Sequence, residues 1–164
     1  ATGAKAPTLY AEFVNKEGLF RAVLDRYISR FAARHEALLF DDEKTVDRAL
    51  RDYFTAVATC CTSKETPAGC FMINTSAALA ASSTDIATTV KSRPAMQEQT
   101  LTHFLQQRQL RGELPPDGDV HQLAQFLNCI LQGMSISARE GADFTKIMQI
   151  AETTLRLWPQ VLQR

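Results

Sequence analysis

Gly3-Ala4-Lys5-Ala6-Pro7-Thr8-Leu9-Tyr10-Ala11-Glu12-Phe13-Val14-Asn15-Lys16-Glu17-Gly18-Leu19-Phe20 is the stretch on which the reading of this chain turns. Gly3 suits a sharp turn between two helices, and Leu9 and Phe13, four residues apart, share one helix face. Asn15 stands where an N-cap would open the next helix. The spacing therefore predicts a helix of barely two turns that ends before a second, long helix beginning near Lys16.

Working outward, Leu19, Phe20, Val23, Leu24, Tyr27, Ile28 and Phe31 recur in one helical stripe. The acidic run Asp41-Asp42-Glu43 suits a helix amino end, followed by Val46, Leu50, Tyr53, Phe54 and Val57 on one face. Thr66-Pro67 reads as N-cap and first helical residue of a shorter helix through Cys70, Phe71, Ile73 and Asn74. Ser82 with Asp85 resembles a capping box for a helix running to about Arg111, kinked or split at Pro94 and closed by Gly112. Pro115-Pro116-Asp117-Gly118-Asp119 is a turn that launches a further helix ending at Gly141. A last helix runs from about Asp143 to Trp158. No segment alternates like a strand, so the fold class expected is all-α, with about six long helices.

Composition agrees with a packed globule. The chain has 164 residues, of which 45% are hydrophobic and 22% charged, enough for a core without metal or disulfide staples. Eighteen Lys plus Arg balance eighteen Asp plus Glu, which excludes a polybasic coat but not a local basic surface. No apolar run approaches the roughly 18 residues of a membrane span and no signal pattern opens the chain, so a cytoplasmic protein is expected. Cys60, Cys61, Cys70 and Cys129 form no C-x-x-C pair, sit among apolar neighbours without an adjacent cation, and read as buried thiols.

The opening stretch resembles the tetracycline-repressor (TetR) family of bacterial transcription regulators. Gly3, Thr8, Leu9, Tyr10, Phe13, Lys16, Glu17 and Leu19 match the residues around that family's recognition helix in type and spacing. Residues 127–133, Ala138-Arg139 and Gly141-Ala142 look like the penultimate helix and the turn after it. The resemblance implies a helix-turn-helix remnant over residues 1–38, a ligand-binding and dimerisation domain over 39–164, and two further helices before Gly3. Thr8 and Tyr10 would offer hydroxyls to phosphates and Lys16 a cation at a helix amino end, leaving Lys5, Ala6, Pro7 and Ala11 toward base edges. Lys5 stands where the family commonly has a Ser.

The resemblance also implies a small-ligand cavity in the carboxyl-terminal domain. The wall residues expected are Phe54, Val57, Cys70, Phe71, Asn74, Met96, His103 and Phe104, an apolar set with a few polar members. The last two long helices carry more apolar surface than one inward face needs, because Phe126, Ile130, Ile150 and Leu157 lie off the main stripes. With Leu123, Leu127, Gly133, Met134 and Ile147 they are expected to form a two-fold dimer interface, so that two heads read a palindromic double-stranded operator. His35, His103 and His121 are not at metal-ligand spacing, and neither a phosphate loop nor a catalytic motif is present. The reading is a ligand-responsive repressor with no catalytic residue, cofactor, metal or membrane partner. A helical interaction or small-molecule-binding module without DNA binding is the alternative.

Overall fold

The computed structural model describes residues 11–79 and 84–162, and all regular structure within them is helical. After a helix end at residues 11–13 come α1 (Lys16–Tyr27), a π-helical segment (Ile28–Ala32) and α2 (Ala33–Ala37). The remainder is α3 (Val46–Cys61), α4 (Phe71–Leu79), α5 (Thr84–Leu110), α6 (Val120–Arg139) and α7 (Phe144–Val161).

Side-chain caps start three of these helices where the sequence placed them. Asn15, Asp119 and Asp143 each accept an amide of the first turn, from Gly18, Gln122 and Lys146 respectively. Gly112 (φ +77°) and Gly141 (φ +99°) end their helices in the left-handed conformation that glycine adopts without strain.

Two starts differ from expectation. α3 is capped by Thr45 and not by the acidic run, because the Asp41 carboxylate is taken up by the Glu43 amide within a turn. α4 begins at Phe71, not at Thr66-Pro67. The Gly69 amide donates to the Cys61 carbonyl (2.8 Å) and the Cys70 amide to Ser135 Oγ (2.7 Å), so tertiary partners hold the preceding residues out of the helix. Pro94 neither ends nor divides α5, and its carbonyl accepts from Asn128 Nδ2 of α6 (3.1 Å). The Ser82 capping box lies outside the described residues.

The main core forms where α3, α5, α6 and α7 converge, with Phe54, Leu50, Leu101, Phe104, Leu123, Leu127, Met134 and Ile147 all at 0–1% exposure. Trp158 Nε1 donates to Asp47 Oδ1 (3.2 Å), tying α7 to the start of α3. A second cluster, Leu24 and Met72 with Phe20, Tyr27, Ile28, Cys70 and Phe71, joins α1 to α4.

Candidate functional site

At the amino-terminal side, Lys5, Ala6, Pro7, Thr8 and Tyr10 lie outside the described residues. Ala11 and Lys16 are both exposed, and Lys16 opens α1. The turn before it is tight. Val14 adopts φ 68°, a left-handed conformation unusual for a β-branched residue, and a Cβ on Gly18 would stand 2.0 Å from the Phe13 carbonyl oxygen. Gly18 is thus required by close approach, a role its place in the sequence did not disclose. Gly18→Ala is expected to cost about 1–3 kcal/mol and to open this turn. Thermal unfolding checks the cost, and an unchanged midpoint would contradict it.

The helices line a partly open cavity of about 170 Å³. An apolar protein cavity of roughly 150 Å³ holds one benzene, so the space suits a small molecule. One wall comes from α1, the π segment and α2 through Tyr27, Phe31, His35 and Glu36. α3 supplies Tyr53, Val57, Cys60 and Cys61. Cys70, Met72 and Ile73, at and just before the start of α4, face Pro94 and Gln97 of α5 and Leu131, Gln132 and Ser135 of α6.

The chemistry of this lining is distinctive. No Lys or Arg is among these residues, and Glu36 is the carboxylate. Burial holds the His35 imidazole below its ordinary pKa, so it is neutral at pH 7. Cys60, Cys61 and Cys70, three of the chain's four cysteines, converge here. Tyr27 O–H donates to Cys70 Sγ at 3.4 Å. Burial first, and then the neighbouring thiols, push the Tyr27 phenol far above its usual pKa, so it remains a donor. The same causes raise Cys60 and carry Cys61 up to about 12. Gln97 Nε2 donates to Tyr53 Oη (2.9 Å), which fixes the α5 side.

Val57 and Cys70 line the cavity as expected from the sequence; the other predicted wall residues do not. Phe54 and Phe104 are at 0–1% exposure, consumed by the main core. Met96 and His103 are exposed, and His103 packs on Phe40 at 5.7 Å. Asn74 turns aside to donate from Nδ2 to the Ala68 carbonyl (2.8 Å), while its buried Oδ1 has no partner. Phe71 stacks on Phe20 (5.6 Å) and meets Tyr27 (5.5 Å), acting at the α1–α4 joint. A helical stripe names a core-facing side, and only packing decides which of its residues stop short of contact. Tyr27, Gln97 and Ser135 were missed because each needed knowledge of which helices meet. The thiols also depart from the sequence reading: Cys61 is buried, Cys60 and Cys70 are half-buried, and Cys129 is exposed.

The expected interface residues divide in the same way. Leu123, Leu127, Met134 and Ile147 are at 0% exposure in the chain's own core and offer nothing to a partner, which corrects their assignment. Phe126, Ile130 and Ile150 are partly exposed, and Leu157 is 47% exposed. Ile136, at 38%, extends this surface. A Cβ on Gly133 would meet nothing within 4 Å, so the chain's own packing does not require glycine there.

Comparison with known proteins places this architecture. The family model described as "Tetracyclin repressor-like, C-terminal domain" matches residues 45–153. The chain is 71% identical over 163 residues to the HTH-type transcriptional repressor ComR of Escherichia coli (strain K12), covering 99% of this chain and 78% of that protein. Among solved structures, it is similar to the TetR family transcriptional regulator CifR. A triple cysteine mutant of CifR, complexed with 26 bp double-strand operator DNA, matches with TM-score 0.83 and 24% identity over 94% of this chain and 80% of that one. A double cysteine mutant matches with TM-score 0.82 and 24% identity over 94% and 81%. These likenesses to CifR show the shared fold, and the family-model match and near full-length identity to ComR show that the chain belongs to the TetR family of transcription regulators.

Proposed function

We propose that the protein is a ligand-responsive repressor that acts in the bacterial cytoplasm without catalysis. A two-fold dimer reads a palindromic operator through the segment preceding α1, and a small effector in the cavity lowers operator affinity. The observation that carries the effector half is a shared wall: Tyr27 and Phe31 belong to the helix that follows the DNA-reading segment and also line the cavity. A molecule that fits only when this wall moves has different affinities for two positions of α1, which is what linkage to DNA binding requires. Phe31 sits in the π segment, an irregularity often found at functional positions of helices. With no cation on the lining, the effector is neutral or positively charged.

The dimer reading rests on α6 and α7. Phe126, Ile130, Ile136, Ile150 and Leu157 retain exposed apolar surface, and Gly133 leaves room for close approach of a second backbone. Packing these two helices against their mates makes a four-helix bundle.

Duplex titration tests the DNA half. Operator affinity is expected to fall steeply with salt, and Lys16→Ala to reduce the slope of log K against log salt by roughly 0.9, the share of one phosphate contact. An unchanged slope would remove Lys16 from the interface. For the effector half, neutral compounds of about benzene size are screened for release of the operator. Val57→Trp, which fills the cavity, is expected to abolish that response. A response that persists in this variant would locate the effector elsewhere.

A further inference from the structure

The three cavity thiols have a geometry that effector binding does not use. Cys61 is the last residue of α3 and Cys70 immediately precedes α4. The intervening segment is stitched shut at its base, because the Gly69 amide donates to the Cys61 carbonyl (2.8 Å). Ser135 accepts the Cys70 amide on its hydroxyl (2.7 Å) and lines the same cavity as both cysteines. Both cysteines stand at helix ends, where the backbone can adjust to disulfide geometry. Cys60, adjacent to Cys61, is a poor partner for it.

We propose that Cys61 and Cys70 are an oxidisable pair, converted to a disulfide by a hydroperoxide entering the cavity, and that this bond releases α1 from α4 and lowers operator affinity.

The two thiols have distinct parts. Cys70 is half-buried on the cavity, where its sulfur is held by the hydrogen bond from Tyr27 O–H and can be reached by a molecule in that space. Cys61 is buried and stays a thiol, since its pKa is pushed up to about 12. Cys70 Sγ therefore attacks the distal oxygen of the hydroperoxide. The O–O bond breaks, the alkoxide leaves as alcohol with the Cys70 proton, and Cys70 becomes a sulfenic acid. Cys61 Sγ attacks that sulfur, the S–O bond breaks, and hydroxide leaves as water with the Cys61 proton. The dithiol is oxidised to one disulfide while the hydroperoxide is reduced to alcohol and water.

The structural consequence follows from what Cys70 holds. Its sulfur contacts Tyr27 of α1, and the next residue, Phe71, carries the ring contacts to Phe20 and Tyr27. Turning Sγ toward Cys61 withdraws the first contact and shifts the second. The effect on DNA rests on the repressor reading above, whereas the disulfide itself does not.

The test uses reduced chain treated with tert-butyl hydroperoxide, alkylated, and digested with trypsin. Cleavage after Lys64 separates the Cys60/Cys61 peptide from the Cys70 peptide. The expected result is a cross-linked pair of these peptides that dithiothreitol collapses, retained in Cys60→Ser and absent in Cys61→Ser. Operator affinity of the oxidised wild type should drop roughly 5- to 150-fold, reversibly, and Cys61→Ser should lose this response. The proposal is overturned if Cys61 and Cys70 remain alkylatable, if cross-links join Cys129 peptides alone, or if the disulfide forms without changing operator affinity. Reduced protein that never binds operator defeats the repressor reading instead, and the wild-type peptide map still decides the disulfide without needing any variant to fold.

Discussion

Arg108→Ala is expected to destabilise the protein by about 3–5 kcal/mol, the usual cost of removing one partner from a buried ion pair. The guanidinium, with its side chain 3% exposed, donates to the carbonyls of Lys44 (2.6 Å), Asp41 (2.9 Å) and Leu39 (3.3 Å) and to Glu113 Oε1 (2.9 Å). It also lies over the Phe104 ring at 5.2 Å. Glu113 Oε2 accepts the Val46 amide (2.8 Å), so the pair holds both the start of α3 and the segment that joins it to α2. Alanine removes a donor from three carbonyls and a carboxylate, of which the Asp41 carbonyl keeps a second, the Lys44 amide. Arg108→Lys is not expected to rescue them, because an ammonium lacks the planar fork. At roughly 2–4 °C per kcal/mol for a chain of this size, the loss is visible in a melting curve, and a drop of under about 1 kcal/mol would contradict the assignment.

The same pair gives a pH dependence. Burial alone would raise the Glu113 pKa, but the hydrogen bonds from Arg108 and the Val46 amide outweigh it and hold the carboxyl below its ordinary 4.5. The unfolded state therefore binds the proton first. The stabilisation is complete above 4.5 and is lost as pH falls through the lower folded value. Glu113→Gln should flatten this part of the acid limb of stability against pH, and identical limbs would show that Glu113 does not contribute to it.

Leu157→Glu is expected to split the proposed dimer and abolish operator binding. Leu157 is 47% exposed in the single chain, so a glutamate there leaves the fold of one protomer intact. In the proposed interface, by contrast, the substitution would bury an unpaired carboxylate from each protomer. Burying unpaired charge costs several kcal/mol, enough to move a dimer by orders of magnitude in dissociation constant. Each half-site then depends on one short helix, which reads too few bases to bind alone. Sedimentation velocity at micromolar concentration gives the assembly state, and circular dichroism checks the fold. A Leu157→Glu protein that stays dimeric would move the interface off this face, and wild-type protein sedimenting as a monomer would remove the dimer.

Helix number, order and most boundaries were legible because their causes are local. A 3.6-residue stripe needs only its own residues to declare an amphipathic helix, and Asn15, Asp119 and Asp143 cap helices with side chains three residues from the amides they accept. The start of α4 was not legible. Thr66-Pro67 is a sound local signal, overridden by a carbonyl eight residues back in the chain and a Ser135 hydroxyl on another helix. The family, too, could be read from the spacing between Gly3 and Leu19, since the residue types around a recognition helix recur at fixed offsets.

What the sequence by itself determined, then, is an all-α chain of TetR type with apolar faces on known helices. Which face residues stay in the core and which border empty space was decided by tertiary structure alone. Phe54 and Val57 lie on the same stripe of α3, yet the first seals the core at 0% exposure and the second borders the cavity. Phe104 and Gln97 on α5 show the same divergence. A cavity is where helices fail to meet, and that depends on crossing angles and side-chain volumes on several helices at once. Cys60 and Cys61 in one segment and Cys70 in another carry no sign of convergence in their spacing. The Gly69 amide, the Ser135 hydroxyl and the Tyr27 phenol bring them together, and each acts across a distance in sequence that no local pattern records.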